Sequence, residues 1–286
     1  MRLTLLAACS LLVACTTEPA QQDAGLRLDA LAATDVPTVD GSSAFDALAG
    51  DAFLVRDAAG DAGADGGEMG DAWSAPAVFS TMGSCGVLDT ELTDMAPHWV
   101  ENVATFPEGW TLDRATELSA GAQQILAEGT AGGSSGYSEA FAFEMLHRCE
   151  GAGLVASETM IRYSVPMPGS ITDILVEIDG LKIGVSVSRA VTVTGRCMRG
   201  DTYAMAEATR VLTQKLNGIR ESSMLVAPED RWVKQILFIY ADTAAHAATL
   251  RTAWDALDPA IRADSVLYVS VSEEMDGFIY FQTSCP

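Results

Sequence analysis

Residues 233–240 lead into an unbroken apolar run, Ile236-Leu237-Phe238-Ile239-Tyr240. A strand that is apolar on both faces needs cover on both, which is the condition of a parallel position in an α/β sheet. Parallel neighbours in turn require long crossover connections, usually helices. That one run therefore restricts the chain to sheets flanked by helices on both sides.

The surrounding segments agree with this. Residues 111–128 show helical spacing in Leu112, Leu118, Ile125 and Leu126, and a second helix is expected over 137–149. The period then changes. Residues 157–165, 171–178 and 181–193 are β-rich, and Asp179-Gly180 between the last two is a strong type I′ hairpin signal. Asp201 is expected to cap a helix that Gly218 stops, and Asp242 or Thr243 caps the helix that ends at Asp258-Pro259. Residues 266–271 form the next strand, with 278–281 expected to pair with it. The predicted fold class is α/β, in the order α-β-β-β-α-β-α-β: a mixed sheet with helices on both faces.

The N-terminal quarter cannot join that sheet. From Thr16 to Pro76 the chain is Ala, Asp, Gly and Thr, with acids recurring every five or six residues, a period of neither helix nor strand. It has too little to bury to repay the entropy of ordering, so residues 15–76 read as an acidic disordered tether. The tether accounts for −10 of the chain's formal net charge of −22. With a pI near 4.3 and no basic run, the chain lacks the Lys and Arg matching that nucleic acid requires, and nucleic acid is a disfavoured partner.

Met1-Arg2 followed by an apolar stretch to Val13 is of signal-peptide length, so residues 1–14 are expected to be removed. The end of that stretch, Leu12-Val13-Ala14-Cys15, resembles the lipobox of bacterial lipoproteins. The resemblance implies cleavage before Cys15, a lipid on its sulfur and a membrane anchor. Thr16, in the position after the cysteine, implies the outer membrane of a Gram-negative cell envelope.

Residues 77–136 are expected to be a partly helical N-terminal extension, and 137–286 the α/β core. The order of elements in that core resembles the restriction-endonuclease-like fold of the PD-(D/E)XK nucleases. In that superfamily a helix glutamate, a second-strand aspartate and a third-strand Glu-x-Lys gather round Mg²⁺, whose preference is for hard oxygen ligands. A two-residue turn at Asp179-Gly180 pairs Glu177 with Lys182 and sets Asp173 opposite Ser186, which is the position of the family's aspartate. Glu139 best matches the helix glutamate, with Glu144 as runner-up. The candidate metal ligands are thus Glu139, Asp173 and Glu177. The Glu-x-Lys positions, however, read Ser186-Val187-Ser188, which supply neither a carboxylate nor an ammonium.

Four cysteines follow Cys15, and in an exported chain they suggest two disulfides with three possible connectivities. The expected pairs are Cys149–Cys197 and Cys85–Cys285; no two have zinc-ligand spacing. Gly132-Gly133-Ser134-Ser135-Gly136 fits the hydrolase elbow only in letters, because a helix precedes it where a strand is required. His246 is expected at a partly exposed helix surface and His98 in a loop. The expected function is a membrane-anchored envelope lipoprotein with a non-catalytic binding or structural module, whose partner is an envelope protein or small ligand. A Mg²⁺-dependent phosphodiesterase or nuclease with an altered site is the alternative.

Overall fold

The computed structural model describes residues 78–107, 112–131, 135–166, 169–195, 197–273 and 276–281. All lie in the second of two units, Met1–Asp65 and Gly66–Pro286. The segments expected to be a signal peptide and a tether, with Cys15, and Cys285 lie outside the described residues.

The apolar run forms β8 (Lys234–Ala241), buried along its whole length. It is parallel to both of its neighbours, β5 (Leu181–Ala190) and β9 (Val266–Glu273). Ile236, Phe238 and Tyr240 enter one hydrophobic layer, and Leu237, Ile239 and Ala241 enter the other. The first layer packs under α1 (Ala120–Glu128), α2 (Gly136–Glu150) and α6 (Gly277–Phe281); the second packs under α3 (Met205–Leu225) and α4 (Ala244–Ala256). Beyond β5 the sheet continues antiparallel through β4 (Ile174–Ile178) to β3 (Gly153–Ser157). Beyond β9 it continues through parallel β2 (His98–Thr105) to antiparallel β1 (Ser80–Gly83). The result is a seven-stranded mixed sheet ordered β1-β2-β9-β8-β5-β4-β3, with helices on both faces. Among the described residues no helix is long and apolar enough to cross a membrane.

Several expected elements differ. The segment read as an N-terminal extension supplies two strands of the main sheet, and only its second half is helical. That half breaks at Ser119 into a 3₁₀ turn (Leu112–Glu117) and α1, because the Ser119 hydroxyl caps the Ala122 N–H. The first strand after α2 is Gly153–Ser157; beyond it the Met160 and Ile161 N–H groups both turn back to the Ser157 carbonyl. Residues 192–200 form a separate hairpin, β6 (Thr192–Gly195) with β7 (Met198–Gly200). Gly218 does not stop α3. The buried stripe Ala208, Leu212, Leu216, Ile219 and Ser222 runs straight past it, and tertiary burial outweighs the cost of about 1 kcal/mol for one helical glycine. Residues 277–281 form a helix rather than a strand, so that Phe278 meets Phe106 and Phe141 at centroid distances of 5.2 and 4.8 Å. A four-residue short α5 (Pro259–Arg262), capped by Asp258, follows α4.

Gly121 marks the closest approach of α1 to its neighbours. A Cβ there would lie 2.4 Å from the Phe143 ring and 3.1 Å from Leu154. Gly121→Ala is expected to lower stability by about 1–3 kcal/mol in denaturant melts, even though alanine is intrinsically the better helix former. A neutral or stabilising result would show that the α1–α2 contact has room for a methyl group.

Candidate functional site

The β4–β5 hairpin has the expected register: Ile178 opposes Leu181, Glu177 opposes Lys182, and Ile174 opposes Val185. Asp173 stands one residue before β4. Its N–H donates to the Val185 carbonyl at 3.1 Å, and its carboxylate accepts the Val187 N–H at 2.5 Å. These two bonds clamp Asp173 against the middle of β5. Burial raises its carboxyl to about 6, with repulsion from Glu158 adding and Lys215 and the Val187 N–H opposing.

Glu139, in the first turn of α2, has 1% of its surface exposed, and the neighbouring Ser135 hydroxyl meets its carboxylate only outside good hydrogen-bond geometry. Burial pushes its carboxyl up to about 7, and the charges of Asp173 and Glu158 push the same way, against the Ser135 hydroxyl and Lys215. The structure thus brings Glu139 and Asp173 into electrostatic contact. The third candidate is not brought in: Glu177 is exposed at the far end of β4, opposite Lys182. The alternation that gives Glu177 the same face as Asp173 also places it about 13 Å along the strand, at 3.3 Å per residue. Glu144 is committed elsewhere, to the Ser119 N–H and the Arg148 guanidinium.

Lys215 of α3 was not singled out from the sequence. Its ammonium donates to the Val187 carbonyl at 3.2 Å and so places a positive charge beside Asp173. The only local signal is its place on the flank of the buried Leu212–Leu216 stripe. Two cavities meet at this lysine, of about 430 and 340 Å³, and Ser135, Asp173, Gln214 and Lys215 line both. Among the described residues no three His, Cys, Asp or Glu side chains group as a metal site. Even so, Mg²⁺ is commonly held by one or two carboxylates, with water or phosphate completing its shell. The buried oxygens of Glu139 beside Asp173 are hard donors that fit such an ion.

The other expected positions are corrected. Cys85 bonds Cys149, with Cα atoms 4.7 Å apart, which rules out both Cys149–Cys197 and Cys85–Cys285. The β1–β2 connection lies over the C-terminal end of α2, where Glu150 accepts the N–H groups of Gly86, Val87 and Leu88, so Cys85 is held beside Cys149. Cys197 is also disulfide-bonded. His246 is fully buried, donating from Nδ1 to the Ala190 carbonyl at 3.1 Å. His98 opens β2 and bonds Asp94 at 2.7 Å.

No protein-family model matches the chain. The AAC-rich mRNA clone AAC4 protein of Dictyostelium discoideum is 36% identical over 157 residues, which cover 54% of this chain and 22% of that protein. The chain thus spans about a fifth of the length of this curated relative. Among solved structures, Pyrococcus furiosus SfsA in complex with Ca²⁺ is similar at 15% identity and a TM-score of 0.24, covering 54% of this chain and 60% of that one.

Proposed function

We propose that this is a lipid-anchored protein of the cell envelope, held on Cys15 in the outer membrane of a Gram-negative bacterium. Its domain, restriction-endonuclease-like in arrangement, works as a binding module for a small anionic ligand. The lipobox motif and the acidic tether support the anchor. The order α2, antiparallel β3-β4-β5, then parallel β8 and β9 supports the arrangement. The observation that carries the binding reading is the larger cavity, lined by Lys215, Arg189 and Arg210 and by Ser135, Ser138 and Ser188, three cations against the two acids Asp173 and Glu207, with Arg189 also donating to the Ile279 and Tyr280 carbonyls. Cations and hydroxyl donors gathered in a pocket of a few hundred Å³ suit an oxyanion.

Inorganic phosphate at about ten times its Kd is expected to add ~1.4 kcal/mol, raising the melting temperature by roughly 3–6 °C. Phosphate also stabilises proteins by exclusion from their surfaces, so the readout is the difference between the wild type and Lys215→Met. Equal shifts in the two proteins would remove this reading.

The alternative is a metal-dependent phosphodiesterase, favoured by the buried Glu139 beside Asp173 and Lys215. Glu139 and Asp173 would hold the ion, which supplies charge neutralisation to a phosphoryl group and acidity to a bound water. Lys215 would orient the phosphate. This reading expects Mg²⁺- or Mn²⁺-dependent cleavage of bis(p-nitrophenyl) phosphate that Asp173→Asn abolishes; the binding module alone expects none.

A further inference from the structure

The cleft is two chambers in line rather than one bowl. Glu207, Arg210, Val211, Gln214, Lys215 and Gly218 line it from α3, at offsets of three, four, seven, eight and eleven from the first. That spacing is one helical stripe, and eleven residues at 1.5 Å per residue make a trough about 16 Å long. The larger cavity lies over its N-terminal half and the smaller over its C-terminal half, with Asp173 and Lys215 at the junction.

The two chambers differ in chemistry. The first adds Arg189 and Arg210 to the shared lysine, and its one further acid, Glu207, is ion-paired with Arg210 at 2.5 Å. The second adds only Glu158 as a charge, with the hydroxyls of Ser170 and Ser186. Glu139, buried beside both chambers, is in electrostatic contact with the shared Asp173 and Lys215, with Glu158 of the second chamber and with Arg189 of the first. Gly218 keeps the chamber open, since a Cβ there would stand 3.3 Å from the Ser170 hydroxyl.

We propose that the trough binds an anionic polyol, with its phosphate, sulfate or carboxylate in the Arg210 chamber and its hydroxyls in the Glu158 chamber. The proposal rests on the anion-binding reading above and extends it to a second subsite. A hydroxyl can donate to Glu158, Asp173 and the Ser170 oxygen, whose own proton goes to Glu221, and can also accept from Lys215 and Ser186. An ammonium satisfies only the acids, because it accepts nothing. A second anion is repelled by Glu158, and an apolar group desolvates the charges of Glu158, Asp173 and Lys215 without offering them a polar contact.

The test is calorimetric titration of the full chain with glucose 6-phosphate, inorganic phosphate, glucose and phosphoethanolamine. Glucose 6-phosphate is expected to bind about tenfold tighter than phosphate, with phosphoethanolamine close to phosphate and glucose weakest. Arg210→Ala, at an exposed position, should weaken both phosphates alike. Gly218→Leu should erase the margin of glucose 6-phosphate over phosphate and leave phosphate binding intact. Glu158→Gln, which keeps the shape of the chamber, should reduce that margin and serves if the leucine variant does not fold. Phosphate binding without a margin for glucose 6-phosphate, or with a larger margin for phosphoethanolamine, overturns the second subsite alone. Loss of phosphate binding itself overturns the reading beneath it.

Discussion

Replacing Cys85 with serine is expected to cost the oxidised protein about 4 kcal/mol, the chain-entropy value for a link that closes a loop of some 64 residues. For a domain near 200 residues this lowers the melting temperature by roughly 8–16 °C. The effect is large because the bond spans β2, α1 and most of α2, so the unfolded chain regains the freedom of that whole stretch. The variant is a cleaner probe than a reductant, since reduction also opens the bond at Cys197. Glu150 holds the same segment through three backbone N–H groups, so the native contact should survive in Cys85→Ser, and the loss should appear in the unfolded state. A drop below about 1 kcal/mol in matched thermal melts would mean that the loop is already constrained when unfolded.

Glu139→Gln is expected to stabilise the protein above neutral pH. With its carboxyl raised from 4.5 to about 7, the folded chain holds a proton that the unfolded chain has released. Stability then falls as pH rises from about 4.5 through about 7, the direction required when the native state binds more protons. Asp173, raised to about 6, adds a slope of the same sign starting nearer pH 4. The glutamine cannot ionise, so the variant should gain about 3 kcal/mol at pH 8, near nothing at pH 4.5, and retain the shallower slope from Asp173. Denaturant melts across that range decide it. A variant less stable than the wild type at pH 8 would show that the carboxylate has a favourable partner when the protein is folded.

What the sequence made legible follows from how local each signal is. Asp179-Gly180 fixed the hairpin register, and with it the position of Asp173, because a two-residue turn determines pairing within a few residues. The run through β8 fixed the parallel centre of the sheet. Strand β2 was hidden because its inward row carries Asn102, a polar residue held in the core by the Tyr268 hydroxyl at 3.0 Å and the Ser84 carbonyl at 3.1 Å. Such a strand loses its apolar alternation to a contact 166 residues away. Residues 278–281 were misassigned because four apolar residues carry no period of their own. At the site, Glu139 and Asp173 could be named from the resemblance in element order. Lys215 could not, because it reaches Val187 from another element 28 residues away, and only the packing of α3 on β5 brings them together.

The pairing of β2 with β9 also dictates a timetable. His98 finds its partner in Val266, 168 residues later, whereas β3, β4 and β5 close on one another within 40 residues. Synthesised from its N-terminus, the chain can complete the antiparallel meander while β1 and β2 still lack the neighbour that completes their half of the sheet. Contacts of such long sequence separation are slow to form. The capture of the early β1–β2 hairpin by β9 is therefore expected to come late in folding, and until then the edge of β2 stands open to pairing with another molecule.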